Sequence, residues 1–363
     1  MTSILQTLCS VPTAPFVETH VTAYVGRFVR ARKKLRLTRD RTGNLLITLP
    51  GASRGPRWVF MAHMDHPGLV AGEMNGPRSL SARFHGGVLG EYLPGTRVRF
   101  FDAGREITGR IVEVTESDAD RPAYPARVSV RVTSPVAPGS AGMFDVGAGR
   151  TRGKKFYSRV CDNLAGAAAA LTMLDRLHRV KKPPAVDVAV MFTRAEEEGF
   201  IGAIAAVSKP ELLRKTDRLV VIECSAAQPY APQGDGCVIR VGDRTSIFHS
   251  ALTYFITQQA EDLAKTDPTF KFQRALMPGG TCEATVYDAF GYVASSVCVP
   301  LGNYHNMDKV KKKIAAEFID LNDWQGMVKL FVHLAQNGAG FSGENVALKK
   351  KLIDLFEKFK PLL

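Results

Sequence analysis

The sequence contains no apolar run approaching the roughly 18 residues that a membrane-spanning helix needs. Its six cysteines (Cys9, Cys161, Cys224, Cys237, Cys282 and Cys298) include no C-x-x-C pair. That argues against a disulfide framework or a structural zinc knuckle, and for a reducing, cytoplasmic setting. The opening stretch, MTSILQTLCSVPTAP, lacks the basic segment and continuous apolar core of a signal peptide. Nor does any nucleic-acid-binding motif accompany the formal net charge of +13. The basic residues concentrate in GRFVRARKKLRLTRDR (Gly26–Arg41), DKVKKK (Asp308–Lys313) and LKKKLIDLFEKFK (Leu348–Lys360). Apolar residues interleave each run at helix-like or strand-like spacing, as on the polar face of a packed element. Neither nucleic acid nor membrane is therefore expected as a partner, and internal repeats and low-complexity tracts are absent too.

What is present is an ordinary globular composition. The chain has 363 residues, 45% of them hydrophobic and 23% charged, enough for a sizeable core and more than one domain. Phe16, Val21, Val25, Phe28 and Val29 share one face of an expected opening helix. NLLITLP and RWVFMAHMD read as strands. From about Gly72 the texture changes: TRVRFFDAGREITGRIVEV alternates on both sides of a DAGR turn, and ARVSVRVTS alternates Val128, Val130 and Val132. No helix-length pattern appears before Phe156. Beyond it, DNLAGAAAALTMLDRLHRV and FIGAIAAVS read as helices. VDVAVMFT, RLVVIEC and GYVASSVCVP are short apolar runs of the kind buried on both faces of a sheet, and two more helices close the chain. The simplest architecture is an α/β domain (1–71 and 156–363) interrupted by an all-β insertion (72–155).

Candidate metal ligands fall at the ends of those buried runs, where open α/β sheets place their sites. His63 and Asp65 follow WVFMA, Asp162 precedes the Ala-rich helix, Glu196 and Glu197 follow VDVAVMFT, Glu223 ends RLVVIE, and His305 lies in PLGNYHN. Two histidines with several carboxylates suit a zinc-type site, in which a shared aspartate can bridge two ions.

The pieces AHMDHPG, CDNLAG, TRAEEEGFIGA, VIECS, MPGGT and VPLGNYHN, in this order, resemble the zinc-dependent aminopeptidases of the tetrahedral-aminopeptidase and glutamyl-aminopeptidase type, over nearly the whole chain. The resemblance implies a mixed sheet flanked by helices, as in zinc exopeptidases, with a barrel-like inserted domain. It also implies two Zn2+ ions, replaceable by Co2+ or Mn2+, and hydrolysis of N-terminal residues from a peptide substrate. Carried across, Asp162 would bridge the ions, His63 and Glu223 would complete the first site, and Glu197 and His305 the second. Glu196 would be the general base, and Asp65 would accept the other ring N–H of His63 and fix its tautomer. A homo-oligomer built from dimers, up to a dodecamer, is implied as well.

This sequence departs from the family pattern in places. Glu223 stands where Asp is usual, which raises the alternative of a carboxypeptidase or N-acyl amino acid deacylase on the same two-metal core. A basic, non-enzymatic nucleic-acid-binding protein is the alternative from outside the enzymes. His66-Pro67 replace the common Glu-Ile, and Cys282-Glu283 stand where one Asp is expected. Glu198 replaces an apolar residue and is assigned no chemistry, and alternation along the chain is expected to turn Glu196 and Glu197 in different directions. Cys161 and Cys224 read as packing residues. His66, His85, His178 and His333 receive no role, and His249 is expected at a helix, with a substrate contact as the alternative.

Overall fold

The computed structural model describes residues 2–52, 55–343 and 346–363. The chain opens with α1 (Thr2–Leu8) and α2 (Thr19–Arg30), which turns Val21, Val25, Phe28 and Val29 inward. Phe16 does not belong to that face, contrary to the sequence expectation. It adopts a left-handed backbone (φ 69°), and Glu18 and Arg194 take its N–H and carbonyl, so the helix cannot begin before them.

Three strands follow: β1 (Arg36–Arg39), β2 (Leu45–Leu49) and β3 (Trp58–His63). The chain then leaves to form a closed barrel of β4 (Gly68–Gly76), β5 (Ser79–His85), β6 (Arg97–Asp102), β7 (Arg105–Ser117), β8 (Pro125–Val132) and β9 (Ala141–Phe144). Its strand order is β4-β5-β8-β7-β6-β9, and its separate core includes Leu80, Phe84, Phe100, Ile111, Val128 and Val130. The barrel strands start four residues before the expected boundary at 72. At the other end β10 (Arg150–Arg152) and β11 (Lys155–Ser158) already pair with the main sheet.

The remaining elements complete that sheet and its covering layers. They are α3 (Leu164–Arg179), β12 (Val188–Thr193), α4 (Ile201–Ser208), β13 (Arg218–Ala226), β14 (Cys237–Gly242), α5 (Ser250–Thr266), β15 (Phe272–Leu276), α6 (Glu283–Ala289), β16 (Val293–Gly302), β17 (Met307–Asp308), β18 (Lys313–Ile314), β19 (Glu317–Asp320), α7 (Leu321–Asn337) and α8 (Val346–Phe359). Among the described residues the sheet has eleven strands, in the order β1-β2-β12-β3-β13-β16-β19-β11-β10, with β14 and β15 branching from β16. β12, β3, β13 and β16 run parallel; the β2–β12, β16–β19 and β14–β16 pairs are antiparallel, and β14 and β15 are parallel to each other. No helix among the described residues is long and apolar enough to cross a membrane.

Strand alternation divides the core. Phe60, Ala62, Val190 and Ile222 face the layer of α3 and α7, while Val59, Met61, Met191 and Val221 face α4 and α6. With helices on both faces, the central strands must be apolar on both faces, which is why they read as continuous apolar runs. Phe60 is fully buried, with its ring centroid 5.0 Å from that of Phe331. Phe60→Ala should therefore lower stability by about 3–5 kcal/mol, whereas Val112→Ala, on the barrel surface, should change it by about 0.5 kcal/mol or less. Denaturant unfolding of both variants measures this, and equal costs would contradict the packing described.

Candidate metal centre

Pairing aligns the strand ends that carry the acidic residues. Thr193 of β12 lies opposite His63 of β3, and Glu223 of β13 lies opposite Cys298 of β16. Past β12 the chain turns left-handed at Ala195 and makes one tight 3-10 turn, Glu196–Glu198, closed by Gly199 at a φ of 95°. Past β16 another single turn presents His305, itself left-handed at a φ of 53°. Asp162 enters from the segment between β11 and α3.

The structure brings all seven predicted residues together. His63 Nε2 is 3.5 Å from Asp162 Oδ1, 3.7 Å from Glu196 Oε2 and 3.8 Å from Glu223 Oε2. His305 Nε2 is 3.3 Å from Glu197 Oε2 and 3.8 Å from Asp162 Oδ2. Asp162 thus offers one carboxylate oxygen to each histidine. Two groups, His63–Glu196–Glu223 and Asp162–Glu197–His305, have donor atoms within 4.8 Å of one another, the spread a metal ion can gather. Asp162 Oδ1, Glu197 Oε1 and Glu223 Oε1 are buried without a hydrogen-bond partner. Oxygens in that state are costly unless a cation compensates them, so the donor set fits two divalent ions.

The electrostatics point the same way. Burial pushes the Glu196 carboxyl well up and that of Glu223 to about 8. Burial opposes charge on the two imidazoles, yet the carboxylates around them, Glu196 at His63 and Glu197 at His305, outweigh it; His63 rises and His305 reaches about 9. The cluster holds more negative charge than two imidazoles can balance.

Two details differ from the sequence expectations. Asp65 lies with its carboxylate 3.7 Å from His63 Nδ1, while its own carbonyl oxygen is closer, at 3.2 Å. The carboxylate instead accepts the backbone N–H groups of Glu196 and Glu197, each at 3.0 Å, and so sets the turn that carries both glutamates. Those glutamates diverge because they occupy a 3-10 turn, at roughly 120° per residue, rather than by strand alternation.

An outer layer was not recognised in the sequence. Glu317, fully buried, accepts N–H bonds from Cys161 (2.7 Å), Asp162 (3.0 Å) and His305 (2.9 Å). His66, given no role from sequence, spans the carbonyl oxygen of Asp162 (2.5 Å) and Asn306 Oδ1 (2.9 Å). His305 Nδ1 donates to the carbonyl of Gly87 at 2.9 Å, which leaves Nε2 free as a ligand. Glu317 lies in no motif, and apart from its bond to the nearby His305 all of these contacts join groups far apart in sequence. His249 caps α5 by accepting the N–H of Leu252 at 3.2 Å. Cys161 and Cys224 are buried, and the Cys224 thiol lies 3.3 Å from the carbonyl oxygen of Cys161. Glu283 opens α6, and burial pushes its carboxyl to about 7.

A cavity of about 560 Å³ opens over the cluster, bounded by Gly87 and Tyr124 of the barrel insertion, Arg240, Cys282 and the basic Lys309 and Lys312. A doubly covered mixed sheet gathers acidic and imidazole side chains at its strand ends, as a candidate metal centre. Residues 43–321 match the M42 glutamyl aminopeptidase family profile, and the chain belongs to that family. It is a metal-dependent aminopeptidase.

Three similar solved structures share the fold. A TET aminopeptidase from a marine-sediment Thaumarchaeota archaeon aligns with TM-score 0.76 and 17% identity, over 92% of this chain and 96% of its own. An aminopeptidase from Desulfurococcus kamchatkensis aligns with TM-score 0.75 and 21% identity, over 92% and 94%. The Pyrococcus horikoshii TET1 peptidase gives 0.72 and 21%, over 92% and 98%. A search of curated proteins found no match.

Because Asp65 clamps both glutamate amides, Asp65→Asn, with one acceptor oxygen in place of two, should cut kcat/KM about 10- to 100-fold. Steady-state hydrolysis of an aminoacyl-nitroanilide reads this out, and wild-type kinetics in the variant would refute the clamp.

Proposed function

We propose that two Zn2+ ions, or Co2+ or Mn2+ in their place, are held by His63, Glu223 and Asp162 on one side and by Asp162, Glu197 and His305 on the other. The observation that carries this reading is Asp162, placed with one oxygen toward each histidine and with its Oδ1 buried and unpartnered. When bound, such a pair acidifies water and stabilises the oxyanion formed on the scissile carbonyl. Glu196 takes the proton of the attacking water and delivers it to the departing amine. Burial pushes its carboxyl well up, which makes it a stronger proton acceptor than an exposed glutamate. Asp65 acts indirectly, through the two amide groups that aim Glu196 and Glu197.

The cavity wall supports an acidic residue at the substrate's N-terminus, in keeping with the family's glutamyl description. Arg240 of β14 lines the cavity while only 3% exposed, and among the described residues its Nε has no partner. Its guanidinium lies over the Phe248 ring at 5.7 Å. A buried guanidinium in that state favours an incoming carboxylate, which it can bind through two parallel hydrogen bonds. Arg244 adds positive charge at the rim, with one N–H donated to the carbonyl of Gly279.

One of the similar structures is titled a dodecamer, and the Pyrococcus horikoshii peptidase is described as assembling into a tetrahedron or an octahedral shell. By analogy we infer a dimer-based homo-oligomer for this chain. Its six unpaired cysteines support a reducing, cytoplasmic setting.

Two measurements test the proposal. Glu196→Gln should keep two metal ions but lose about 10²- to 10⁴-fold in kcat, while Glu197→Ala should bind one ion fewer by metal analysis; full activity in the first variant would remove the general-base role. In a panel of aminoacyl-nitroanilides, Arg240→Met should lower kcat/KM for glutamyl substrate about 10- to 100-fold and leave leucyl substrate within about threefold. An equal fall for both would show that Arg240 does not read the side chain.

A further inference from the structure

We propose that Glu198 is a positioning residue for His305 and acts through the edge of the barrel. The inference rests on His305 being a metal ligand, as read above. Glu198 Oε1 accepts the backbone N–H of Gly86 at 2.8 Å and lies 3.2 Å from His85 Nδ1. His85 ends β5, so both contacts fall on the barrel, more than a hundred residues earlier in the chain. The next residue, Gly87, turns its carbonyl to His305 Nδ1 at 2.9 Å. That contact places the ring proton on Nδ1 and directs Nε2 to Glu197 Oε2 and Asp162 Oδ2, at 3.3 and 3.8 Å.

The intervening segment has little freedom to move. Gly86 is left-handed at a φ of 96°, and a side chain there would come within 2.8 Å of Pro67. A side chain at Gly87 would press on the His305 ring at 3.1 Å. The segment is therefore seated between Pro67 and the imidazole, with Glu198 as the carboxylate that anchors it. Because Glu198 directly follows Glu197, one tight turn faces the histidine twice: Glu197 approaches Nε2 directly, and Glu198 holds the strand end whose carbonyl grips Nδ1. An apolar residue at this position would offer no acceptor to the Gly86 N–H. The sequence expectation of no chemistry for Glu198 is sharpened accordingly: it has no part in the bond-making step, but it orients a ligand.

The test strips the full-length protein of metal with a chelator and titrates it with Zn2+ by calorimetry and with Co2+ by absorption. Glu198→Ala should weaken the second of two binding steps about 10- to 100-fold, leave the first within about threefold, and alter the Co2+ spectrum. Glu198→Gln keeps an oxygen for the Gly86 N–H and should restore most of the affinity and the spectrum. Glu198→Leu, similar in size but without an acceptor, carries the same expectation as alanine if that variant does not fold. Wild-type affinities and spectrum in the alanine or leucine variant would overturn the proposal. His305→Ala, run alongside, separates the two failures: if it still takes up two ions with wild-type affinity, the metal-site reading fails, and if it loses one while Glu198→Ala loses none, only the role of Glu198 fails.

Discussion

Asp162, Glu196, Glu197 and Glu223 crowd around two histidines at the carboxyl ends of buried strands, and the rest of the structure follows from that crowding. Carboxylates taken out of water repel one another and lose hydration; without nearby positive charge they cannot all remain ionised. Burial already drives Glu223 to about 8 and the carboxylates drive His305 to about 9. The surrounding protein does not relieve this charge with its own hydrogen bonds, since three of the carboxylate oxygens stay unpartnered. It fixes the geometry of the backbone instead. Asp65 seats two amide groups and Glu317 three. A site built this way is preorganised for cations while its ligand atoms stay unengaged, the opposite of a salt-bridge network built for stability.

The barrel belongs to this arrangement although its core is separate. It leaves the sheet right after His63 and Asp65, at the rim where the candidate ligands sit. Its β5 edge therefore returns beside the ligand turns, and Gly87 reaches His305. The barrel also supplies Leu89, Tyr92 and Tyr124 to the cavity wall. Insertion at this point makes one side of the cavity out of a unit with an apolar interior to which Met307 of the main domain also contributes.

Much of this was legible in the sequence because burial on both faces leaves a strong signal. The runs VDVAVMFT and RLVVIEC announce central strands, and polar residues directly after such runs stand out as site candidates. Alternation without helical period marks the barrel; its end is displaced because β10 and β11 look like barrel strands but pair with the sheet, and its start because β4 already begins at Gly68. What remained hidden depends on contacts between distant parts of the chain. Glu317 lies 155 residues from Asp162, and no local pattern links them. His66 receives no role from the sequence, and spacing alone puts Phe16 on a helical face. In both cases the deciding partners (Asn306 for the first, Glu18 and Arg194 for the second) become visible only once the chain is folded.

A site rich in carboxylates that accepts an acidic side chain faces an apparent contradiction, since the substrate should be repelled. On the reading proposed here the charges are separated in space. The anions at the strand ends are matched to metal ions, so the substrate meets a compensated centre, while Arg240, Arg244, Lys309 and Lys312 line other parts of the same cavity. The formal charge of +13 contributes at most a long-range attraction for anions and cannot select one side chain over another. Selection needs a charge that water does not already satisfy. Arg244 is exposed at the rim and the lysines are solvated, so they are weak discriminators. Arg240 is buried with an unpartnered Nε, and Glu223 and Asp243 reach its charge only electrostatically, so a leucyl side chain leaves that N–H unmet, whereas a glutamyl carboxylate can accept from it. Discrimination then arises from hydrogen bonds that a carboxylate makes to the buried guanidinium and an alkyl side chain cannot, which is why a single arginine can set a preference that the whole basic surface cannot.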